Sequence, residues 1–395
     1  MENYYIASMC LTENIGCMRG KVLLEHFGSG KAIWLADNEE LRKVELPSSV
    51  IEEFINFRRT YPNCPEQLVE YCEKKKIKLC SIKDYDYPEI LKSTSNAPIL
   101  LYYKGELLSE EIRVAMVGTR KPSHYGLRVA TQLAEELAGN GITIVSGAAV
   151  GIDTASHKGA MRYGRTIAIL GEGLEAVVAK DKRKFLEQIA EKGAVISEYS
   201  PNAHSSKGMF PQRNRIIAGL SMGVVIVEAG ESSGAMNTAQ HAGDYGRLLF
   251  AVPGNINSEK SKGCHELIRD GAILIRSARD IIEDCKFNID YHFIPEYDFN
   301  EQSNQNNQPK LSKKSKTKIS KIPKAKIIGL PPLEGNEDLV FQAISDDRGI
   351  SAEEIMMKVD NIESSEISSI LLNLEMNGYI EEDEIGNYIR IYGNY

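Results

Sequence analysis

The feature that most constrains the fold is a regular alternation of short apolar runs and helical segments between residues 113 and 275. Seven runs have the length of buried strands, at residues 114–117, 142–145, 166–170, 194–196, 224–227, 248–252 and 272–275. Amphipathic or Ala-rich segments separate most of them, for example at residues 127–139, 152–163 and 182–192. This rhythm predicts βαβ crossovers and a parallel sheet covered on both faces. Ligands of such sheets bind at the carboxyl ends of the strands, so the loops after the strands are where a site is expected.

An unusual run lies between the fourth and fifth predicted strands and reads Met-Phe-Pro-Gln-Arg-Asn-Arg-Ile-Ile-Ala-Gly-Leu-Ser over residues 209–221. No acidic residue occurs between residues 199 and 227, which leaves three cations without a neighbouring countercharge: Lys207, Arg213 and Arg215. Such a run at a loop-to-helix junction suits a polyanion with flat bases, because amides and guanidiniums bind phosphates and an aromatic face accepts a base. The alternative is that Phe210 belongs to the core and the arginines pair with distant carboxylates.

A second basic stretch follows the first predicted strand and reads Gly118-Thr119-Arg120-Lys121-Pro122-Ser123. No carboxylate occurs in residues 112–134, and a helix is predicted to begin near Ser123. The free amides of a helix start suit an anion. The dinucleotide pattern G-x-G-x-x-G and the Walker lysine are both absent. The sequence therefore predicts a phosphate site here, but not an ordinary NAD or ATP site.

The loops after the second, fourth and fifth strands add small polar groups, namely Ser146-Gly147, Ser197 and Ser233-Gly234. None of the three serines lies in a G-x-S-x-G elbow, so no nucleophile–base set is predicted. Asp153 and His157 are spaced as a metal pair would be, but no third ligand stands at a readable spacing. We interpret Asp153 as a helix N-cap and His157 as a packing residue. No catalytic residue, metal or cofactor is predicted.

The segments on either side of this region differ in composition. Residues 1–80 predict a small helical domain, with one helix over residues 48–59. The α/β domain is predicted over residues 81–290. Residues 291–331 form a polar linker, in which residues 310–326 contain eight lysines and no acid. Residues 332–395 predict three helices and a hairpin with its turn at Gly386-Asn387, the order of a winged helix.

The acidity of the chain is concentrated in that last segment. Residues 333–395 contain 15 Asp and Glu against three Lys and Arg. Their charge of −12 exceeds the net charge of −8 and leaves residues 1–332 at +4. DNA should repel this segment, whose third helix, over residues 364–377, has no Lys or Arg. We therefore expect the tail to contact protein.

Location and redox state are predicted from what the sequence lacks. No apolar run approaches membrane-spanning length, and the first residues lack the basic start and apolar stretch of a signal peptide. The seven cysteines are scattered without a Cys-x-x-Cys pair. We expect a cytoplasmic protein with reduced thiols.

Several motifs occur in a characteristic order: Val117-Gly118-Thr119-Arg120, Ser146-Gly147 through Asp153, Ser197-Glu198-Tyr199, Phe210-Pro211 with Arg213-Asn214-Arg215, Ser233-Gly234, Val252-Pro253-Gly254 and Gly271-Ala272. Together they resemble the DNA-processing protein A (DprA/Smf) family over the full chain, and the Phe-Pro-x-Arg-Asn-Arg run is the most specific of them. Three departures affect local loop shape. Ala176-Val177 stands where Tyr-Pro is usual, Ala148 where Leu is common, and His265 where Asn is frequent.

The resemblance implies an α/β fold with an extended Rossmann-like parallel sheet, an N-terminal helical domain of SAM or helix-hairpin-helix type, and a C-terminal winged-helix domain. It also implies a non-enzymatic protein that binds single-stranded DNA, forms a homodimer and loads the recombinase RecA during natural transformation. By the same resemblance, Arg120, Lys207, Phe210 and Asn214 fall where the family places its DNA contacts.

We therefore predict a site for single-stranded DNA made of the loops named above. Phosphates are expected along the helix starts that follow Gly118 and precede Arg213, and Phe210 is expected to stack on a base. The predicted DNA contacts are Gly118, Arg120, Lys121, Ser123, Ser146, Gly147, Ser197, Lys207, Phe210, Arg213, Asn214, Arg215, Ser233 and Gly234. The alternative is an enzyme, a nucleotide phosphoribohydrolase on a related sheet, whose expected Pro-Gly-Gly-x-Gly-Thr loop is missing from the counterpart segment at residues 228–239.

Overall fold

The structure is a computed structural model, and it describes residues 1–287, 335–344, 350–359, 362, 364–376, 379–382 and 387–390. The chain divides into two compact units, Met1–Gln302 and Ser303–Tyr395. Each unit is treated by itself. The whole predicted linker, residues 291–331, and Gly386 of the predicted turn lie outside the described residues.

The first unit opens with six helices: α1 (Glu2–Cys10), α2 (Cys17–Phe27), α3 (Gly30–Leu35), α4 (Asn38–Leu41), α5 (Ser48–Thr60) and α6 (Cys64–Lys75). The predicted helix over residues 48–59 corresponds to α5, and its apolar stripe of Val50, Ile51, Phe54 and Ile55 is buried. Between α2 and α3, Gly28 adopts the left-handed conformation, with a φ of 82°. The amides of Gly30 and Lys31 at the start of α3 donate to the carboxylate of Glu2.

A nine-stranded sheet follows, with strands β1 (Lys78–Ser81), β2 (Leu100–Gly105), β3 (Arg113–Val117), β4 (Thr143–Ser146), β5 (Thr166–Ile169), β6 (Ala194–Ser197), β7 (Gly223–Ile226), β8 (Leu248–Ala251) and β9 (Ile273–Leu274). Its helices are α7 (Glu89–Lys92), α8 (His124–Gly139), α9 (Ile152–Tyr163), α10 (Lys180–Lys192), α11 (Met209–Gly219), α12 (Gly234–Asp244), α13 (Lys262–Arg269) and α14 (Ala278–Asp284). The seven predicted strands correspond to β3–β9, and all their pairings with one another are parallel. The prediction of a mostly parallel α/β sheet is confirmed.

The order of the strands in the sheet is β1-β2-β6-β5-β4-β3-β7-β8-β9. From β3 the chain builds outward through β4, β5 and β6, and then returns to place β7 on the other side of β3. This reversal is the switch point of a doubly wound sheet, where ligands collect. Alternate residues of β3 enter different cores, since Val114 and Met116 pack on one face and Ala115 and Val117 on the other. The sheet is thus covered on both faces, as buried parallel strands require.

Strands β1 and β2 were not predicted. They form an antiparallel edge on β6, with Tyr102 opposite Ser197 and Leu79 opposite Tyr102. The N-terminal helices share one hydrophobic core with this edge, because Ile6 and Leu23 belong to the same buried cluster as Leu100. The predicted boundary at residue 80 falls inside β1, so the helical segment continues directly into the sheet.

The second unit contains α15 (Asn336–Ala343), α16 (Ala352–Lys358) and α17 (Ser364–Met376), with the strands β10 (Ile350–Ser351), β11 (Ile380–Glu382) and β12 (Asn387–Arg390). The three strands form an antiparallel sheet in the order β10-β12-β11. The three predicted helices are present, whereas β10 was not predicted. The hydrophobic core of the second unit contains Phe341, Ile355, Leu371 and Leu374. The winged-helix assignment stays a prediction.

Candidate nucleic-acid interface

A cavity of about 700 Å³ opens at the carboxyl-terminal edge of the sheet, beside the switch point. The loops after β3, β4, β6 and β7 and the first turns of α11 and α12 form its walls. The predicted site residues that line it are Gly118, Arg120, Lys207, Phe210, Arg213, Asn214, Ser233 and Gly234. The predicted residues that do not line it are Lys121, Ser123, Ser146, Gly147, Ser197 and Arg215. The fold therefore brings loops that are distant in the sequence to one cavity.

Arg120 and Lys207 are the exposed cations of this cavity. Neither forms an ion pair with another residue in the described part of the chain. Phe210 is half-buried, and its ring centroid lies 5.9 Å from the guanidinium carbon of Arg120. Two free cations beside an aromatic ring provide partners for a phosphate and for a base.

Phe210 lies in the first turn of α11, which has no acidic residue and no side-chain cap. The positive end of the helix dipole is therefore not neutralised locally. Gly171, in the loop after β5, makes room for the ring, since a Cβ there would lie 2.8 Å from Cδ1 of Phe210. Sequence analysis did not assign Gly171 to the site. Only the tertiary contact shows why a side chain is excluded.

Arg213 lies beneath the cavity and is 5% exposed. Its guanidinium donates to the carbonyl of Gly147 at 2.8 Å and to that of Ile169. Burial lowers the pKa of Arg213 to about 10, and Asp153 partly opposes this effect. Arg213 thus remains protonated near neutral pH and joins the loop after β4 to the end of β5.

Arg215 is also buried and pairs with Glu198, their side chains being 9% and 14% exposed. Burial raises the pKa of Glu198, while the charge of Arg215 acts in the opposite direction. The burial of Arg213 and Arg215 does not agree with direct neutralisation of phosphates by these two residues. Arg215 matches the alternative interpretation, in which the arginines pair with distant carboxylates, whereas Arg213 donates to main-chain carbonyls.

Ser146, Gly147 and Ser197 are buried and support the loops from within. The hydroxyl of Ser146 donates to Met116 O at 2.6 Å, and that of Ser197 donates to Glu172 O at 2.7 Å. The amide of Gly147 donates to Asp153 at 3.1 Å. Direct contact of these three residues with a ligand does not agree with their burial.

The start of α8 differs from the predicted phosphate site. Ser123 is its N-cap, as its position before the helix suggests, but its amide donates to Glu228 Oε2 at 2.8 Å. Its hydroxyl donates to Glu228 Oε1 at 2.5 Å. The amide of Ser123, which was expected to be free, is therefore occupied by a carboxylate, and this does not agree with a phosphate contact at Ser123. Lys121 is exposed outside the cavity.

The first turn of α12 forms the opposite wall of the cavity. Ser233 caps this helix, with its hydroxyl accepting from the amide of Ala235 at 3.3 Å. The Asn214 side chain donates to Gly234 O at 3.3 Å and to Asn237 Oδ1 at 3.2 Å. Asn214 therefore joins α11 to α12 and sets the distance between two helix starts that face the same space.

Asp153 is not the N-cap of α9, because that position belongs to Gly151. Its carboxylate accepts from the amides of Gly147 and Ala149, at 3.1 and 3.4 Å. His157 is fully buried, as expected for a packing residue, and its Nδ1 lies 2.6 Å from the Thr166 hydroxyl. Burial, reinforced by the charge of Arg213, lowers the pKa of His157 to about 3. Among the described residues, no group of His, Cys, Asp or Glu is placed to hold a metal ion.

In the part of the chain that the structure describes, no helix is both long and apolar enough to cross a membrane.

The fold and the cavity define a doubly wound α/β protein with a candidate polyanion site at its switch point. The family described as DNA recombination-mediator protein A matches residues 78–286 of the chain. This range contains the whole sheet and every residue of the cavity. The chain belongs to this family.

Three similar proteins show how far the relationship extends. The DNA processing protein DprA of Streptococcus pneumoniae is 42% identical over 217 residues, which cover 54% of this chain and 77% of that protein. Protein Smf of Synechocystis is 36% identical over 288 residues, or 71% and 72% of the two chains. The crystal structure of the S. pneumoniae protein has a TM-score of 0.63 at 33% identity, covering 74% of this chain and 99% of that one. A Helicobacter pylori DNA processing protein A, described as having a single-stranded DNA binding mode, is 32% identical over 55% of this chain and 98% of its own, with a TM-score of 0.49.

Proposed function

We propose that this protein is a recombination mediator that binds single-stranded DNA and is not itself an enzyme. The observation that carries the proposal is the convergence of Arg120, Lys207 and Phe210 on one cavity at the switch point. Phosphates would contact the two exposed cations and the uncapped start of α11, while a base would stack on Phe210. Membership of the DNA recombination-mediator protein A family supports this assignment.

Two features of the cavity favour a single strand over a duplex. A base can stack on Phe210 only when it is unpaired and turned away from its neighbours, and single strands present bases in this way. The cavity is also walled by loops and two helix starts, and neither α11 nor α12 presents a row of exposed cationic side chains to a groove. A duplex would offer its phosphates but would keep its bases away from the ring.

Few cationic side chains of the cavity are available to bind DNA. Arg213 and Arg215 have internal partners, so the cations available to DNA in this cavity are Arg120 and Lys207. Because only a few phosphates are neutralised here, binding should be salt-dependent with a moderate slope. The Lys-rich residues 310–326 would add nonspecific attraction.

The wider role in our proposal follows from the family. We infer that the protein acts in the cytoplasm as a homodimer, protects incoming single strands and loads RecA onto them during natural transformation or homologous recombination. The relationship to DNA processing proteins at 36–42% identity supports this part of the proposal.

The test is a titration of the full-length protein with labelled single-stranded and double-stranded oligonucleotides of equal length. We expect preference for the single strand, and a loss of that preference in the Phe210→Ala variant. Equal affinity for both forms would contradict the proposed base contact. Incubation with nucleoside monophosphates should release no free base, whereas turnover would favour the phosphoribohydrolase alternative.

A further inference from the structure

The carboxylate of Glu228 occupies the first turn of α8 from a distant part of the chain. Glu228 follows β7, is 3% exposed, and lies 105 residues from Ser123 in the sequence. Its two oxygens accept from the amide and the hydroxyl of Ser123, at 2.8 and 2.5 Å. The Glu228 carboxylate therefore binds both donors of the residue that caps this helix.

The Glu228 carboxylate lies at the place in the sheet where related folds bind nucleotide phosphates. Strands β3 and β7 are neighbours at the switch point, and α8 follows β3 directly. In doubly wound sheets, the turn after this central strand and the start of its helix bind the phosphates of nucleotides. The first turn of α8 has no acid of its own, so the negative group that complements its dipole comes from β7.

The backbone around Glu228 is shaped to admit it. A Cβ on Gly126 would lie 2.2 Å from Glu228 Oε2, and one on Gly118 would lie 2.8 Å from the Glu228 carbonyl oxygen. That carbonyl also accepts from the amide of Thr119 at 2.7 Å. Gly126 and Gly118 thus leave space for the side chain and the main chain of Glu228, and the Thr119 amide binds its carbonyl at the turn after β3.

We propose that Glu228 is a specificity-determining residue, which keeps the phosphates of free nucleotides out of the turn after β3. Because the carboxylate fills this position, anion binding is left to the neighbouring cavity of Arg120, Lys207 and Phe210, which suits a strand with unpaired bases. This extends the proposed function by excluding NAD and ATP as ligands. Its test uses no DNA, so the failure of either proposal would be recognised separately.

The experiment replaces the internal anion by an external one. Glu228→Ala should lower the midpoint of thermal unfolding by about 5–15 °C, because two hydrogen bonds to a buried charge are lost. Inorganic pyrophosphate should then restore several degrees of the loss in a saturable manner, since a ligand bound only by the folded state raises the midpoint. The parent protein should show no such dependence on pyrophosphate.

Glu231→Ala is the matched control. Glu231 lies in the same loop, is exposed, and removal of its side chain changes the net charge by the same amount. We expect its midpoint to be close to that of the parent, with no gain from pyrophosphate. An equal gain in this control would show a general charge effect and would overturn the proposal.

A second variant, Glu228→Ser, covers the case in which the alanine variant does not fold. Its hydroxyl leaves space for an anion and offers one hydrogen bond. If both variants fold but neither responds to pyrophosphate, the turn is not a latent phosphate position and the proposal is wrong. If neither folds even with pyrophosphate present, an external anion cannot replace the carboxylate, and this result also overturns it.

Discussion

At the residue scale, burial divides four of the five predicted cations into two pairs, while the fifth, Lys121, is exposed outside the cavity. Arg213 and Arg215 lie inside, bonded to carbonyls and to Glu198. Removing one partner of a buried charge leaves the other uncompensated, which is strongly destabilising. Arg120 and Lys207 are exposed, so their replacement should affect ligand binding far more than stability.

The first prediction separates phosphate contacts from base contacts through their response to salt. Lys207→Ala and Arg120→Ala should each lower the slope of log affinity against log salt by about 0.7 for single-stranded DNA. Phe210→Ala should weaken binding by roughly 1–3 kcal/mol and leave that slope nearly unchanged, because stacking releases no counterions. The measurement is a salt titration of oligonucleotide binding for each variant.

Lys31→Ala serves as the control, because Lys31 is exposed on α3 and does not line the cavity. Circular dichroism checks the folding of each variant, since Phe210 also packs against Gly171. If the Phe210 variant folds and binds DNA like the parent, Phe210 is a packing residue and makes no base contact.

The second prediction concerns the acid stability that His157 limits. The Thr166 hydroxyl donates to Ile144 O at 2.8 Å, so Nδ1 of His157 donates to that hydroxyl in the neutral ring. The pKa of His157 is about 3 in the folded state, against about 6.5 when unfolded. The unfolded state therefore binds more protons below pH 6.5, and stability is lost as the pH falls towards 3. Between pH 6.5 and 5 this loss should be ~2 kcal/mol.

Urea unfolding at pH 7 and pH 5 measures this effect. In His157→Gln, which keeps an N–H donor and does not titrate, the loss between the two pH values should be smaller by about the same ~2 kcal/mol. A variant with the parent's pH dependence would show that other groups control acid stability.

At the element scale, the loop that carries Lys207 is held by two neighbouring elements. The amides of Gly173 and Glu175, in the loop after β5, donate to Ala203 O and Pro201 O, both at 2.8 Å. From the other side, the Tyr71 hydroxyl on α6 donates to Asn202 Oδ1 at 2.7 Å. The N-terminal helices thus help to position the loop for which we propose a DNA contact, without lining the cavity.

The third prediction tests this support. Tyr71→Phe removes one partly exposed hydrogen bond, so single-strand affinity should fall about two- to fivefold. The effect should disappear in a Lys207→Ala background, because Tyr71 acts through the loop that positions Lys207. Tyr61→Phe, on an exposed tyrosine before α6, is the control and should bind like the parent. If Tyr71→Phe lowers single-strand affinity equally in the parent and in the Lys207→Ala background, Tyr71 does not act through Lys207.

At the scale of the whole molecule, the negative charge is concentrated in the last 63 residues of the chain. Residues 333–395 carry −12, while the preceding residues carry +4. Within the described part of the second unit, Arg390 donates to Phe341 O at 2.9 Å and to Gln342 O at 2.8 Å. Its guanidinium therefore binds carbonyl groups of α15 in the same unit. The acidic segment over residues 333–395 offers little to attract a polyanion.

The fourth prediction follows from this separation. A chain ending at residue 290 should keep most of its affinity for single-stranded DNA, because Arg120, Lys207 and Phe210 all remain. The loss should come from the lysines of residues 310–326 and should shrink at high salt, where nonspecific attraction is screened. Titrations at low and high salt with both chain lengths measure this. Binding that collapses on truncation and returns when the isolated tail is added would contradict it.

Local patterns in the sequence were sufficient for most of the sheet. Buried parallel strands are continuous apolar runs, and the intervening helices repeat at their own period, so β3–β9 could be read without tertiary information. The antiparallel strands β1 and β2 were missed. Strand β1 lies at the end of residues 1–80, which were predicted to be helical, and β2 becomes a strand by pairing with β6, which lies about 90 residues further along the chain.

The sequence by itself determined the fold class, the loops that form the cavity and the cations Arg120 and Lys207. Only the tertiary structure decided which polar groups are free. Arg213 and Arg215 find their partners at Gly147, Ile169 and Glu198, and Ser123 binds a carboxylate from β7. The physical reason is that a buried charge must be compensated by whatever group the fold places beside it, and that group need not be near in the sequence.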